Sequence, residues 1–365
     1  GIGTGNYLKH NPPKDKKALL LEYLQVVVEK AKKYNLEIEI WGDGLIDKEN
    51  TSVTAEDVKN ALPKDTLVWQ WEYTNKNLKD IEDSIDLMRL HSDRMGFSGS
   101  AWRIQSYASA NHYSISRLVR QIEACKNKDV DHFMITIWGD NGMPSSMFGV
   151  LPSLFVASEY NLNNDYKNIN KDKFKSITGV SFDDLFGLDL MDDPFHRRKG
   201  LSNFKSPDYP NSESFILLFN DLFIGSYDML LTRGVSKKYL ALSNKYKKVI
   251  CDDRTKHVFD MMSHLAKVIG LKCELGLEIR EAYQNKDNDT LRIIANNKLP
   301  KAIKAMKEFI KSFNAYFLHE WQALGIEVEQ LYHSHVLARM EFVKERIIDY
   351  LDKSSFKLLF YRNPK

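Results

Sequence analysis

Five of the six tryptophans in this 365-residue chain stand at the ends of short apolar runs. Those runs close as EIEIWGDG, TLVWQWEY, FSGSAWRI and MITIWGDN, which places Trp41, then Trp69 and Trp71, then Trp102, then Trp138; only Trp321 lies elsewhere. Asp43 and Asp140 each follow an indole by two residues, and Glu72 adjoins Trp71. Indoles stack on the C–H faces of sugar rings, and carboxylates accept paired hydrogen bonds from sugar hydroxyls. A single tryptophan at a strand end is as well explained by core packing, and an aspartate there can cap the next helix. Four similar ends in succession point instead to a lined pocket. Trp41, Trp71, Trp102 and Trp138 are therefore expected to converge, with Asp43 and Asp140 at the rim. Trp69 and Tyr73 share a strand face with Trp71, because side chains alternate with period two. Glu72, Tyr107, His112 and Tyr113 are weaker candidates.

The elements that must position these residues alternate. ALLLEYLQVVVEKAKKYN, TAEDVKNAL, NLKDIEDSIDLMRLHSDRM and SISRLVRQIEACKNKD carry helical periodicity, and the four tryptophan-ended runs fall between them. Strand–helix alternation at this spacing predicts a parallel sheet with crossover helices. The carboxyl ends of parallel strands are where α/β folds bind ligands. From about residue 161 the strands cease. The later stretches, from SFILLFNDLFIGSYDMLL to SHVLARMEFVKERIIDYLD, read as packed helices, with Pro300 starting or kinking one of them. NLNNDYKNINKDKFK reads as a solvated connector. Two domains are expected, residues 1–160 and 161–365.

Hydrophobic residues make up 43% and charged residues 28%, as in an ordinary globular protein. A net charge of +3 with no clustered basic face gives no reason to expect a nucleic-acid partner. No apolar run approaches the roughly 20 residues of a membrane span. Cys125, Cys251 and Cys273 are widely spaced, as expected of reduced thiols in the cytoplasm rather than a metal site. His333 and His335 would face about 200° apart on a helix and cannot chelate one ion together. GIGTG lacks the strand and the Lys-Ser/Thr of a phosphate loop. No metal or cofactor is expected, and the oligomeric state is not read from the sequence.

In order and spacing the four ends resemble the last four strands of the TIM barrel in glycoside hydrolase family 20, the β-N-acetylhexosaminidases. They look most like the bacterial branch with a helical C-terminal domain. The matching motifs are Trp41-Gly42-Asp43, Trp71-Glu72-Tyr73, Ser100-Ala101-Trp102 and Trp138-Gly139-Asp140. WQALGIEVEQLYHSHVLARMEFVKERIIDYL is similar to that branch's closing segment. The resemblance implies the second half of a (β/α)8 barrel followed by an all-helical domain. It also implies exo-acting, retaining release of terminal β-linked N-acetylglucosamine or N-acetylgalactosamine, with the substrate's acetamide as nucleophile. On that basis Tyr73 would donate to the acetamide, Trp138 would help enclose it, and Asp140 would hold hydroxyls of the terminal sugar. The family's Asp-Glu pair would precede residue 1, and a whole barrel takes about 250 residues. A piece of a longer enzyme is expected in preference to a half-barrel whose open edges a partner covers. The sequence departs from the family pattern at Arg103, Ile104, Asn141, Pro144, His333 and His335. The competing readings are a non-catalytic carbohydrate-binding remnant and a helical interaction scaffold.

Overall fold

The computed structural model of the chain describes residues 15–46, 53–74, 76–104, 106–140, 144–195 and 212–353, together with 10 and 358. The GIGTG stretch and Asn141 lie outside the described residues. Four strands, β1 (Glu39–Trp41), β2 (Leu67–Trp71), β3 (Met95–Ser100) and β4 (His132–Thr136), form one sheet in the order of the sequence. Every pairing is parallel, as the strand–helix alternation predicts. The connections run through helices Ala55–Ala61, Leu78–Arg89 and Asn111–Asn127.

Local chemistry sets where these helices begin. Thr54 and Asp57 close a reciprocal capping box, each side chain taking the other's backbone N–H. Asn77 accepts from Asp80 N–H at the start of the next helix. The third is capped from far along the chain: Asp189 accepts from the N–H groups of Asn111 and His112 at 3.1 and 2.9 Å.

The register divides the sheet into two unlike faces. Ile40, Val68, Met95, Phe97 and Phe133 share one core with Val58, Ile81, Ile85, Met88, Ala124 and Cys125. All three crossover helices therefore pack on the same face. Trp41, Trp69, Gly96 and His132 form one row across the opposite face, and Trp71, Ser98 and Met134 form the next. Pairing stops earlier than the apolar runs suggest, so Trp102 and Trp138 each lie two residues beyond their strands.

By packing, the chain divides into one unit of residues 1–100 and 114–136 and a second of residues 101–113 and 137–365. This cut differs from the change of rhythm near 160, because packing follows contacts and the segment after β3 is buried among later helices. The second unit is helical. Its long elements are Val235–Tyr246, Asp253–Lys272, Leu299–Glu320 and Ile326–Asp352. Pro300 closely follows a single π turn, Ile294–Lys298, within a run that is helical from Asn288 to Glu320, so it falls where the α-helical ladder is interrupted. Helices Leu151–Asn163 and Lys171–Thr178 take up the two ends of the expected connector and leave seven residues between them. Burial lowers Lys272 to about 8, and its ammonium donates to the carbonyls of Leu217 and Asn220 at the end of helix Glu213–Phe219. Among the described residues no helix is long and apolar enough to cross a membrane.

Candidate functional site

The first unit presents an aromatic surface on the helix-free face. Trp41 is 42% and Trp71 39% exposed, high values for residues at the ends of paired strands. Trp69 lies between neighbours, with Trp41 and His132 each 6.4 Å away between ring centroids. Its Nε1 donates to the Glu39 carboxylate at 2.9 Å. Gly96 makes this possible, since a Cβ there would stand 2.5 Å from Cε3 and Cζ3 of the indole. The Tyr73 ring packs on Trp71 at 4.9 Å, and the Thr136 hydroxyl donates to its phenol oxygen at 3.1 Å.

Around these rings the backbone is tied down. Gly42 N–H donates to Trp69 C=O at 2.8 Å and carries β1 one step past its last residue. A side chain at Gly42 would strike Met88, with a Cβ 2.3 Å from its terminal methyl. Asp43 then opens the one-turn helix Asp43–Ile46, exposed and favourably placed at its positive end. Glu72 points to the other side of the strand from Trp71 and is buried. It accepts from Thr74 N–H and Oγ1 at 2.6 and 2.5 Å and pairs with Lys76 at 2.5 Å. Burial pushes its carboxyl up, but the bonds from Lys76 and Thr74 outweigh that and hold it below the usual glutamate range. Glu72 thus fixes the turn after Tyr73 and is not part of the aromatic face.

The remaining candidates belong to the second unit. Trp138 is 44% exposed and Asp140 is exposed. Trp102 is half-buried, edge-on to Tyr113 at 5.4 Å. Arg103 is buried, its guanidinium donating to Ser145 C=O and lying 5.4 Å from the Trp321 ring. Burial lowers its pKa, opposed by the charges of Tyr316, Glu320 and Asp140. Tyr107 is corrected as a ligand contact: it is wholly buried, its hydroxyl 2.7 Å from His333 Nε2, among Phe309 and Phe313. His333 and His335 do face apart, one buried and one exposed. His112 is turned inward, its Nδ1 2.9 Å from Asp189 and its ring against Phe186 at 4.3 Å.

Sequence reasoning missed Glu39, Gly96, His132 and Thr136. The alternation in EIEIW would have put Glu39 on Trp41's side, and MITIW puts Thr136 on the side of Met134 and Trp138. Gly96 and His132 give no such signal, because their role depends on register across three strands. A cleft of about 260 Å³ lies at the opposite, amino ends of the strands, lined by Val58, Lys59, Leu62, Thr66, Val68 and His91 among others. Among the described residues no group of three or more His, Cys, Asp or Glu could hold a metal ion. The three cysteines are free thiols; burial pushes Cys125 and Cys273 up to about 12.

Residues 189–358 match the family model of the Glycoside Hydrolase 20C C-terminal domain. The match covers somewhat under half of the chain, lies wholly in the helical part, and is consistent with a family 20 glycoside hydrolase that has a helical C-terminal domain. No curated protein matches the chain.

Proposed function

We propose that this chain carries the sugar-binding strand ends of a family 20 glycoside hydrolase, a β-N-acetylhexosaminidase acting on glycans with terminal N-acetylglucosamine or N-acetylgalactosamine. The helical match points to a glycosidase; the finer reading rests on the sheet. One observation carries it. Four adjacent parallel strands run in sequence order with all crossover helices on one face, leaving Trp41, Trp69, Trp71 and Tyr73 on the other. Right-handed crossovers between strands added always on the same side produce a singly wound sheet. Such a sheet closes into a barrel with its ligand site at the carboxyl ends. Residues 1–160 are, in this reading, half a barrel and 161–365 a helical domain.

In this reading Trp71 and Trp41 offer stacking faces and Tyr73 donates to the substrate's acetamide oxygen. Asp43 contributes as its strand-end motif suggests. In that reaction the acetamide oxygen bonds to the anomeric carbon as the glycosidic C–O bond breaks and the departing oxygen takes a proton from an acid; a donor to the acetamide oxygen favours the geometry from which the ring closes. The test is titration with N-acetylglucosamine and with glucose, followed by tryptophan emission. Preference for the acetamido sugar, abolished by Trp71→Ala, is expected. Equal binding of both sugars would show the site misassigned.

A further inference from the structure

We propose that Thr136 is the positioning residue for Tyr73, holding the phenol oxygen so that its proton reaches a 2-acetamido group. The inference rests on the sugar-site reading above and names the residue on which its acetamide selectivity depends. Ser100 and Thr136 are register partners, and Tyr73 continues β2 two residues past Trp71, whose partner is Ser98. Tyr73, Ser100 and Thr136 therefore form the row above Trp71, Ser98 and Met134. A small residue in the middle of that row leaves room for a phenol to cross from β2 to β4.

The Tyr73 ring packs against Trp71, and its phenol oxygen accepts from Thr136. Thr136 is itself fixed. Its β-branched side chain is stiff about χ1, and its Oγ1 lies 3.1 Å from Gly99 C=O as well as 3.1 Å from Tyr73. Ser100 Oγ donates to Thr136 C=O at 3.2 Å. A hydroxyl has one proton and two lone pairs. When Thr136 donates to Tyr73, the phenol's own proton is directed elsewhere and can serve an acetamide carbonyl. When Thr136 turns its proton to Gly99 C=O, it can accept from Tyr73 instead. The pair thus exchanges donor and acceptor roles without moving a heavy atom, and an acetamide selects the first arrangement.

The test compares Thr136→Val, which keeps the shape and removes the hydroxyl, with Thr136→Ser, which keeps the hydroxyl. Thr136→Val is expected to weaken N-acetylglucosamine binding by about three- to tenfold, the worth of one hydrogen bond, and to leave glucose binding unchanged. Thr136→Ser should stay within about twofold of the parent chain. In a Tyr73→Phe background, Thr136→Val should add nothing. If Thr136→Val does not fold, Thr136→Ala read by the same ratio of the two sugars takes its place. Unchanged selectivity in the variant, or equal loss for both sugars, overturns the assignment of Thr136 alone. A parent chain that does not distinguish the two sugars overturns the sugar-site reading, and this inference with it.

Discussion

Replacing Gly96 by alanine disturbs the aromatic face without removing any polar group. The new Cβ would stand 2.5 Å from Cε3 and Cζ3 of Trp69 and 2.8 Å from Cδ2. Non-bonded carbons settle at about 3.5–4.0 Å, so the indole must retreat by roughly 1 Å. Its path is restricted, since Nε1 is bonded to Glu39 and rings flank it on both sides. Overpacking of this kind costs about 1–3 kcal/mol, and losing the Trp69–Glu39 bond adds up to about 1 kcal/mol. Gly96→Ala should therefore destabilise the sheet unit by about 1–4 kcal/mol. Urea unfolding followed by tryptophan emission and by circular dichroism reads this, with coincidence of the two probes as the check on two-state behaviour. In a Trp69→Ala background the same substitution should cost less than about 0.5 kcal/mol, because the obstacle is gone. A full penalty persisting without the indole, or no penalty with it, would refute the picture of Trp69 lying over Gly96.

Burial raises the Asp192 carboxyl to about 7, against hydrogen bonds from Ser214 and Ser106 that lower it. A raised carboxyl lends stability that is complete below its ordinary value of 3.8 and lost as pH rises through about 7. Asp192→Asn should flatten that slope, as urea midpoints at several pH values across the range would reveal. Glu72 behaves in the opposite sense: with its folded pKa depressed, its contribution is present above 4.5 and lost as pH falls through the folded value. Glu72→Gln should cost about 1.5 kcal/mol near neutrality and progressively less in acid, measured by the same midpoints.

The strand–helix rhythm made the parallel sheet legible, because apolar runs separated by amphipathic stretches admit few other arrangements. The end of the strand phase was legible for the same reason, as were the interruption of a helix beside Pro300 and the opposed faces of His333 and His335. Residues whose environment comes from distant chain were not. Tyr107 follows a strand-end motif as a ligand contact would, yet its neighbours are His333, Phe309 and Phe313, more than 200 positions away. Glu72 sits beside an indole in sequence, but period-two alternation turns it to the opposite face, where Lys76 and Thr74 take it up. Gly96 could have been read as a weak point in a strand; only register shows that Trp69 occupies the space it leaves.

The central claim is that the helix-free face binds a 2-acetamido sugar at the carboxyl ends of the strands. A structure determined with N-acetylglucosamine bound tests it most directly. The account predicts the pyranose against Trp71, with the acetamide oxygen within hydrogen-bond distance of the Tyr73 hydroxyl. Sugar in the cleft beside Lys59, Thr66 and His91 at the amino ends of the strands, with the aromatic face empty, would contradict it.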